Sequence, residues 1–219
     1  MMHRTGAVGR RSPGLVLASL GLLLAALSAG CAGKRVLVPP RLDLEPYGAV
    51  GLVTFTVENA KGNLHEFATE RFAEEVLAGQ SGIEVLELGN VDSLVRRVGE
   101  TAFGPAAAQA LGQERDLPAV FVGHLKVSNV KPSGGIIGLS VPFVQATVTV
   151  DLMVRLMSTR SGGTLWRASA SASEKVGSVA LIGGIPEFSA KDPNDAYGQL
   201  VNRLVWTVTQ DLRPTWRKQ

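Results

Sequence analysis

The sequence predicts an α+β (mixed α/β) fold, a single sheet with helices packed on it, in the order β-α-β-α-α-β-β-β-α. Three observations carry this. Val144, Ala146, Val148, Val150, Leu152, Val154 and Leu156 alternate with Gln145, Thr147, Thr149, Asp151 and Arg155, the period-two pattern of a strand buried on one face. Gly162-Gly163 interrupts the chain after it, so 144–158 and 164–176 are predicted to pair as an antiparallel hairpin. Apolar residues recur at helical spacing over 63–78 and again before Pro214, which gives two amphipathic helices that need an apolar surface to cover.

The elements follow in order. Residues 49–57 (AVGLVTFTV) are a β-branched and aromatic run long enough for a buried strand. Asn63 followed by Glu66 is an Asn version of the capping box, which predicts a helix from 63 to about 78. Leu64, Ala68, Phe72 and Val76 lie four apart with Phe67 alongside, while Glu66, Glu70, Arg71, Glu74 and Glu75 take the outer face. Gly79 and Gly82 end this helix, and 83–88 (IEVLEL) alternates as a second strand. Asn90 or Asp92 caps a short helix through Val98, and Gly104-Pro105 opens another with proline in its first turn. A third strand, 119–130, precedes the hairpin. In the last helix Asp192 is the cap and Pro193 the first residue. Tyr197, Leu200, Val201, Leu204, Val205, Val208 and Leu212 form its stripe, and Pro214 stops it.

The 219 residues suffice for a real core, and 45% hydrophobic content excludes a disordered chain. With 19% charged residues the chain is not mostly membrane-buried, and its one cysteine excludes an internal disulfide framework. The formal charge of +3 invites a nucleic-acid reading. The first thirty residues remove it. Residues 2–11 carry Arg4, Arg10 and Arg11 without an acid, and 15–29 (LVLASLGLLLAALSA) carry no charge. A basic segment, a short apolar segment and small residues make a secretory signal peptide, and 15 residues are short for a bilayer span, which takes about 20.

The segment ends Leu27-Ser28-Ala29-Gly30-Cys31, which resembles the lipobox of bacterial lipoproteins. It departs from that pattern at Ser28, where leucine is commonest. An ordinary signal peptide or a single anchor helix with an incidental cysteine is the alternative. The lipobox resemblance implies cleavage before Cys31 and a covalent diacylglycerol and N-acyl (palmitate) lipid on it, so the only thiol is the anchor and no other cofactor is expected. Ala32, rather than Asp, after the cysteine implies the outer membrane by resemblance to the enterobacterial sorting pattern. The chain from Cys31 onward then holds 19 basic and 19 acidic residues, and the basic-protein argument disappears. The expected organisation is a signal peptide (1–30), a lipidated Pro-rich tether (31–48), one domain (49–213) and a tail (214–219).

Several segments together resemble the CsgG/LpoB-like periplasmic domain family, whose members include a curli-secretion lipoprotein and a lipoprotein activator of a penicillin-binding protein. They are the strand 49–57 before the helix 63–78, then 83–88 running into 91–95 (VDSLV), 111–123 (LGQERDLPAVFVG) and 163–169 (GTLWRAS). The resemblance covers roughly 47–212 and departs at Leu117-Pro118, where the family has a short Gly-Ala-Asp. It implies a periplasm-facing lipoprotein that binds an envelope protein or copies of itself. Some family members instead place two hairpins in a shared outer-membrane barrel. Their counterparts here are two uncharged Gly-Ile loops, one with Ile136, Ile137 and Leu139, the other with Leu181, Ile182 and Ile185. Two barrel strands of about 9–11 residues each do not fit in either loop. Two readings stay open: the loops cover the ends of the core, or they form an apolar patch for a partner or subunit.

Catalytic and metal chemistry find little support. His65 falls in the first turn of the first helix, read as exposed, and His124 in a strand, read as a satisfied sheet residue. Neither has zinc-ligand spacing. There is no GxxxxGK[ST] loop and no GxSxG elbow. Glu66, Glu70, Glu74 and Glu75 read as a solvated face, Ser169, Ser171 and Ser173 as a polar sheet face. Trp166 and Trp206 read as core or edge packing. Trp216 beside Arg217 and Lys218 reads as a frayed tail, with a membrane interface or a partner contact as the alternatives. The expectation is a non-catalytic lipoprotein on the periplasmic side of the outer membrane that binds or assembles with an envelope protein, without metal, nucleic acid or small-molecule substrate. The second expectation is a subunit of an oligomeric secretion channel.

Overall fold

The computed structural model describes residues 35–132 and 142–218. Cys31 and the loop residues Ile136, Ile137 and Leu139 lie outside them. The chain forms β1 (Arg35–Val38), β2 (Ala49–Thr54), β3 (Thr56–Glu58), β4 (Lys61–Gly62) and α1 (Leu64–Gly79). It continues with β5 (Glu84–Asn90), α2 (Val91–Arg97), α3 (Pro105–Arg115), β6 (Ala119–Pro132), β7 (Pro142–Ser158) and β8 (Thr164–Ile182). It ends with β9 (Ile185–Phe188), α4 (Pro193–Val208) and β10 (Thr215–Lys218). The predicted α+β order is present, with short strands added.

The chain divides into two units. In one, β1 and β10 pair as a two-stranded ribbon. The other, Pro39–Thr215, holds a mixed sheet in the order β4-β9-β8-β7-β6-β2-β5, with β3 also on β6. The predicted hairpin is β7–β8, antiparallel and extending far beyond 176. The residues read as the second Gly-Ile loop are therefore sheet: Val179–Ile182 belong to β8, which turns at Gly183-Gly184, both at positive φ, and pairs back with β9. Val179 and Ala180 pair with both β7 and β9, and Leu181 and Ile182 with β9. Only β9, four residues long, returns, too short for a membrane strand.

The faces of the sheet differ. On one, α1 and α4 bury Leu64, Phe72, Val76, Leu200, Leu204 and Val208 against Phe121, Leu125, Val148, Val150, Leu152 and Val154. Fully burying one such side chain contributes about 1.5–3 kcal/mol. Ala168, Ala170 and Ala172 on β8 join this side. On the other, α2 and α3 close a smaller cluster of Val53, Leu94, Ala108, Leu111, Val120, Val122 and Met157.

Three local expectations are corrected. The strand expected over 49–57 breaks at Phe55, whose N–H donates to Thr69 Oγ1 (2.9 Å) rather than to a strand. Gly123 makes room for the Phe55 ring: a Cβ there would lie 2.3 Å from it, so only glycine lets that ring settle onto β6. Asn63 precedes α1 but makes no side-chain cap. Its Oδ1 accepts from the Tyr197 hydroxyl and its N–H donates to Phe188 O (2.9 Å), so tertiary bonds displace the capping box. Finally, packing begins within the segment read as tether. Leu44 is fully buried and its N–H donates to Gln80 Oε1 (2.8 Å), while Gln80 Nε2 donates to Leu42 O (3.0 Å) and Leu212 O (2.6 Å).

Candidate functional site

The helices leave one broad surface uncovered. α2 and α3 cover their side of the sheet only near β2, β5 and the start of β6. Beyond them the outward residues of β3, β6, β7 and β8 form rows set by strand register. One row runs Thr56, His124, Met153, Ser169, and the next runs Glu58, Lys126, Asp151, Ser171. In a third row Arg155 stands directly opposite Arg167. Each residue faces outward because its neighbours two along carry the same parity, while Leu125, Leu152 and Val154 point into the core.

His124 is central to this face. Its Nε2 lies 3.3 Å from Glu58 Oε2 and its Nδ1 2.8 Å from Thr56 Oγ1. A carboxylate only accepts, so Nε2–H donates to Glu58, and in the neutral ring Nδ1 accepts the Thr56 hydroxyl. The hydrogen bond from His124 and the nearby Lys126 ammonium (3.4 Å) hold the Glu58 carboxyl below its ordinary value. The strand reading of His124 as a satisfied sheet residue fits these bonds.

Two shallow depressions meet at His124 and Met153. One, about 350 Å³, has a wall of Val91 and Phe103 from α2 and the following loop, with Arg155 at its rim. The other, about 400 Å³, opens over Lys126, Asp151, Ser169 and Ser171. Both combine apolar side-chain surface with a few charged and hydroxyl groups: His124 and Arg155 in the first, His124, Lys126, Asp151, Ser169 and Ser171 in the second. Like charges directly opposite on a sheet are unfavourable, and no carboxylate among the described residues comes within 4 Å of Arg155 or Arg167. Arg167 Nη2 instead lies 2.6 Å from Met153 Sδ.

The other residues singled out in the sequence are placed as follows. Ile182 and Ile185 face each other across the β8–β9 turn, 51% and 41% exposed, and Leu181 is half-buried opposite Pro186. The hairpin thus brings these three together at one tip. His65 is half-buried rather than exposed, and its Nδ1 has no hydrogen-bond partner among the described residues. Ser173 bonds Thr149 Oγ1 (3.2 Å), and Ser169 and Ser171 are exposed on the open face. Trp166 packs edge-on against Phe121 and donates to Asp211 Oδ2 (3.4 Å). Trp206 is not a packing residue of the core: it is exposed, with the Arg213 guanidinium 3.6 Å above its ring. Among the described residues no three His, Cys, Asp or Glu groups gather as a metal site. The pair Arg155–Arg167 and the wall residue Phe103 were not singled out. A two-residue turn at Gly162-Gly163 would set 155 opposite 170; the pairing with 167 comes from a longer turn and the register irregularity between Leu156 and Met157, which the sequence does not mark. Phe103 had no signal either, because its place depends on how α2 and α3 fold back.

No protein-family model and no curated protein matches the chain. Among solved structures it is similar to the PelC dodecamer from Paraburkholderia phytofirmans, at 14% identity, covering 83% of this chain and 97% of that one, with a TM-score of 0.48. It is also similar to lipoprotein GNA1162 from Neisseria meningitidis (21% identity, 58% and 83% coverage, TM-score 0.37). A third is the LpoB C-terminal domain from Escherichia coli (13% identity, 57% and 82% coverage, TM-score 0.36). All three are distant likenesses.

Proposed function

We propose that this protein is a lipid-anchored envelope protein, held at Cys31 in the outer membrane and facing the periplasm, that binds another envelope protein and performs no chemistry itself. The anchor rests on the basic, apolar, small-residue sequence that ends at Cys31. The observation that carries the binding role is the uncovered face of β6, β7 and β8, where Arg155 and Arg167 stand opposite each other beside the Val91–Phe103 step. The partner presents acidic groups to the arginines and an apolar side chain to the step.

A photo-reactive residue in place of Ser171 tests this, with one in place of Glu74 on the helix side as control. A discrete adduct from 171 alone, lost with Arg155→Glu plus Arg167→Glu, is the expected result. Equal labelling from both positions rejects the face. Membrane fractionation of Cys31→Ala tests the anchor, which is lost as an idea when the variant stays with the membrane. The exposed Ile182–Ile185 tip favours a second reading, self-association as one subunit of an oligomer. Mass measurement of the detergent-solubilised protein separates the two, since a ring gives one large discrete species.

A further inference from the structure

The last four strand residues of the chain and the first four described form a small ribbon, and this ribbon carries its own surface chemistry. Leu37 on β1 is 49% exposed and Trp216 on β10 is 66% exposed. Arg35 and Arg217 are exposed beside them, with Lys34 and Lys218 next in sequence. Residues 32–38 and 215–219 hold Lys34, Arg35, Arg217 and Lys218 and no acid, although the chain from Cys31 onward is balanced in charge. The basic surplus is therefore gathered at these two segments, and the rest of that chain is net acidic.

We propose that the β1–β10 ribbon is a second membrane contact, lying on an anionic lipid headgroup surface with Trp216 and Leu37 at the interface and the arginines on phosphates. The proposal rests on lipidation at Cys31. Three residues separate Cys31 from Arg35, and the four steps between them reach at most roughly 14 Å when extended. A lipid in the bilayer at position 31 thus keeps the ribbon within reach of the headgroups whatever the intervening chain does. Tryptophan is enriched at that depth because its ring is apolar and its N–H is polar. Clustered Lys and Arg are attracted to anionic lipid over a Debye length. Strand pairing is what makes the C-terminal Trp216 part of this contact: alone in sequence it is far from the anchor, and β1 brings it alongside.

The test uses the full acylated protein reconstituted into vesicles of phosphatidylethanolamine and phosphatidylglycerol, with or without bromine on the acyl chains near the headgroup. Bromine quenches only indoles at the interface. The expected result is quenched emission in the parent protein, absent in Trp216→Phe and weakened by Arg35→Gln with Arg217→Gln. Trp216 is exposed, so the phenylalanine variant keeps the fold. If the protein is attached to the vesicles but parent and Trp216→Phe are quenched alike, the ribbon contact is wrong and the anchor stands. If the protein does not attach at all, both the ribbon contact and the lipid anchor fall.

Discussion

Tyr197 lies one turn into α4, at a kink where its own φ of −141° leaves the helix, and touches α1, β9 and the residue before α1. Its ring meets Phe67 of α1 and Phe188 of β9 edge-on, and its hydroxyl donates to Asn63. Burial, with Glu66 adding a smaller repulsion, pushes its pKa up to about 12 from 10.0. The protonated phenol is the form the fold prefers, so its contribution is whole below pH 10 and is lost as pH rises through about 12. An absorbance titration of phenolate is expected to show this late step, and Tyr197→Phe to abolish it. Gly123 offers a second test at the same scale. Gly123→Val drives a side chain into the Phe55 ring 2.3 Å away, and urea unfolding is expected to show a loss of about 1–3 kcal/mol, as overpacking does.

At the scale of elements, the segments that join the strands matter as much as the strands. Gln80 follows α1 and is buried, yet its amide satisfies one N–H and two carbonyls from the 42–44 segment and from Leu212. Gln80→Leu keeps the volume and removes all three bonds. Leaving such groups unpaired costs about 1–3 kcal/mol, so the midpoint of urea unfolding is expected to fall with an unchanged slope. Helix caps divide in an instructive way. Asp192 accepts from the N–H groups of Asn194 and Asp195, and Asn90 from that of Ser93, as local sequence predicts. Asn63 does not, because the Tyr197 hydroxyl, 134 residues distant in sequence, takes its oxygen first.

For the sheet as a whole, Arg155 and Arg167 imply an exchange of stability for recognition. Arg167→Glu turns a repulsive cross-strand pair into an attractive one, worth roughly 0.2–1 kcal/mol. Its melting temperature is expected to rise while cross-linking to the partner falls. A variant that melts lower, or that binds as before, rejects the role given to the pair.

The sequence by itself determined the order of elements, because period-two alternation over 144–156 and helical spacing over 63–78 and 193–208 each fit only one kind of structure. It also set the one thiol, Cys31, behind a basic, apolar and small-residue segment that resembles a lipobox, on which the proposed anchor rests. It did not show that Leu42 and Leu44 enter the core, since two leucines among prolines carry no periodicity. Nor did it show that 179–182 continues β8, since Gly-rich apolar runs read alike as loop or strand. Only the tertiary structure decided which sheet face stays open and which outward side chains share it. Those depend on where α2 and α3 stop and on pairings between residues far apart in sequence, as with Thr56 and His124 or with β1 and β10. Local pattern fixes what each segment can form, while its partners are set by burial and hydrogen bonding across the whole chain.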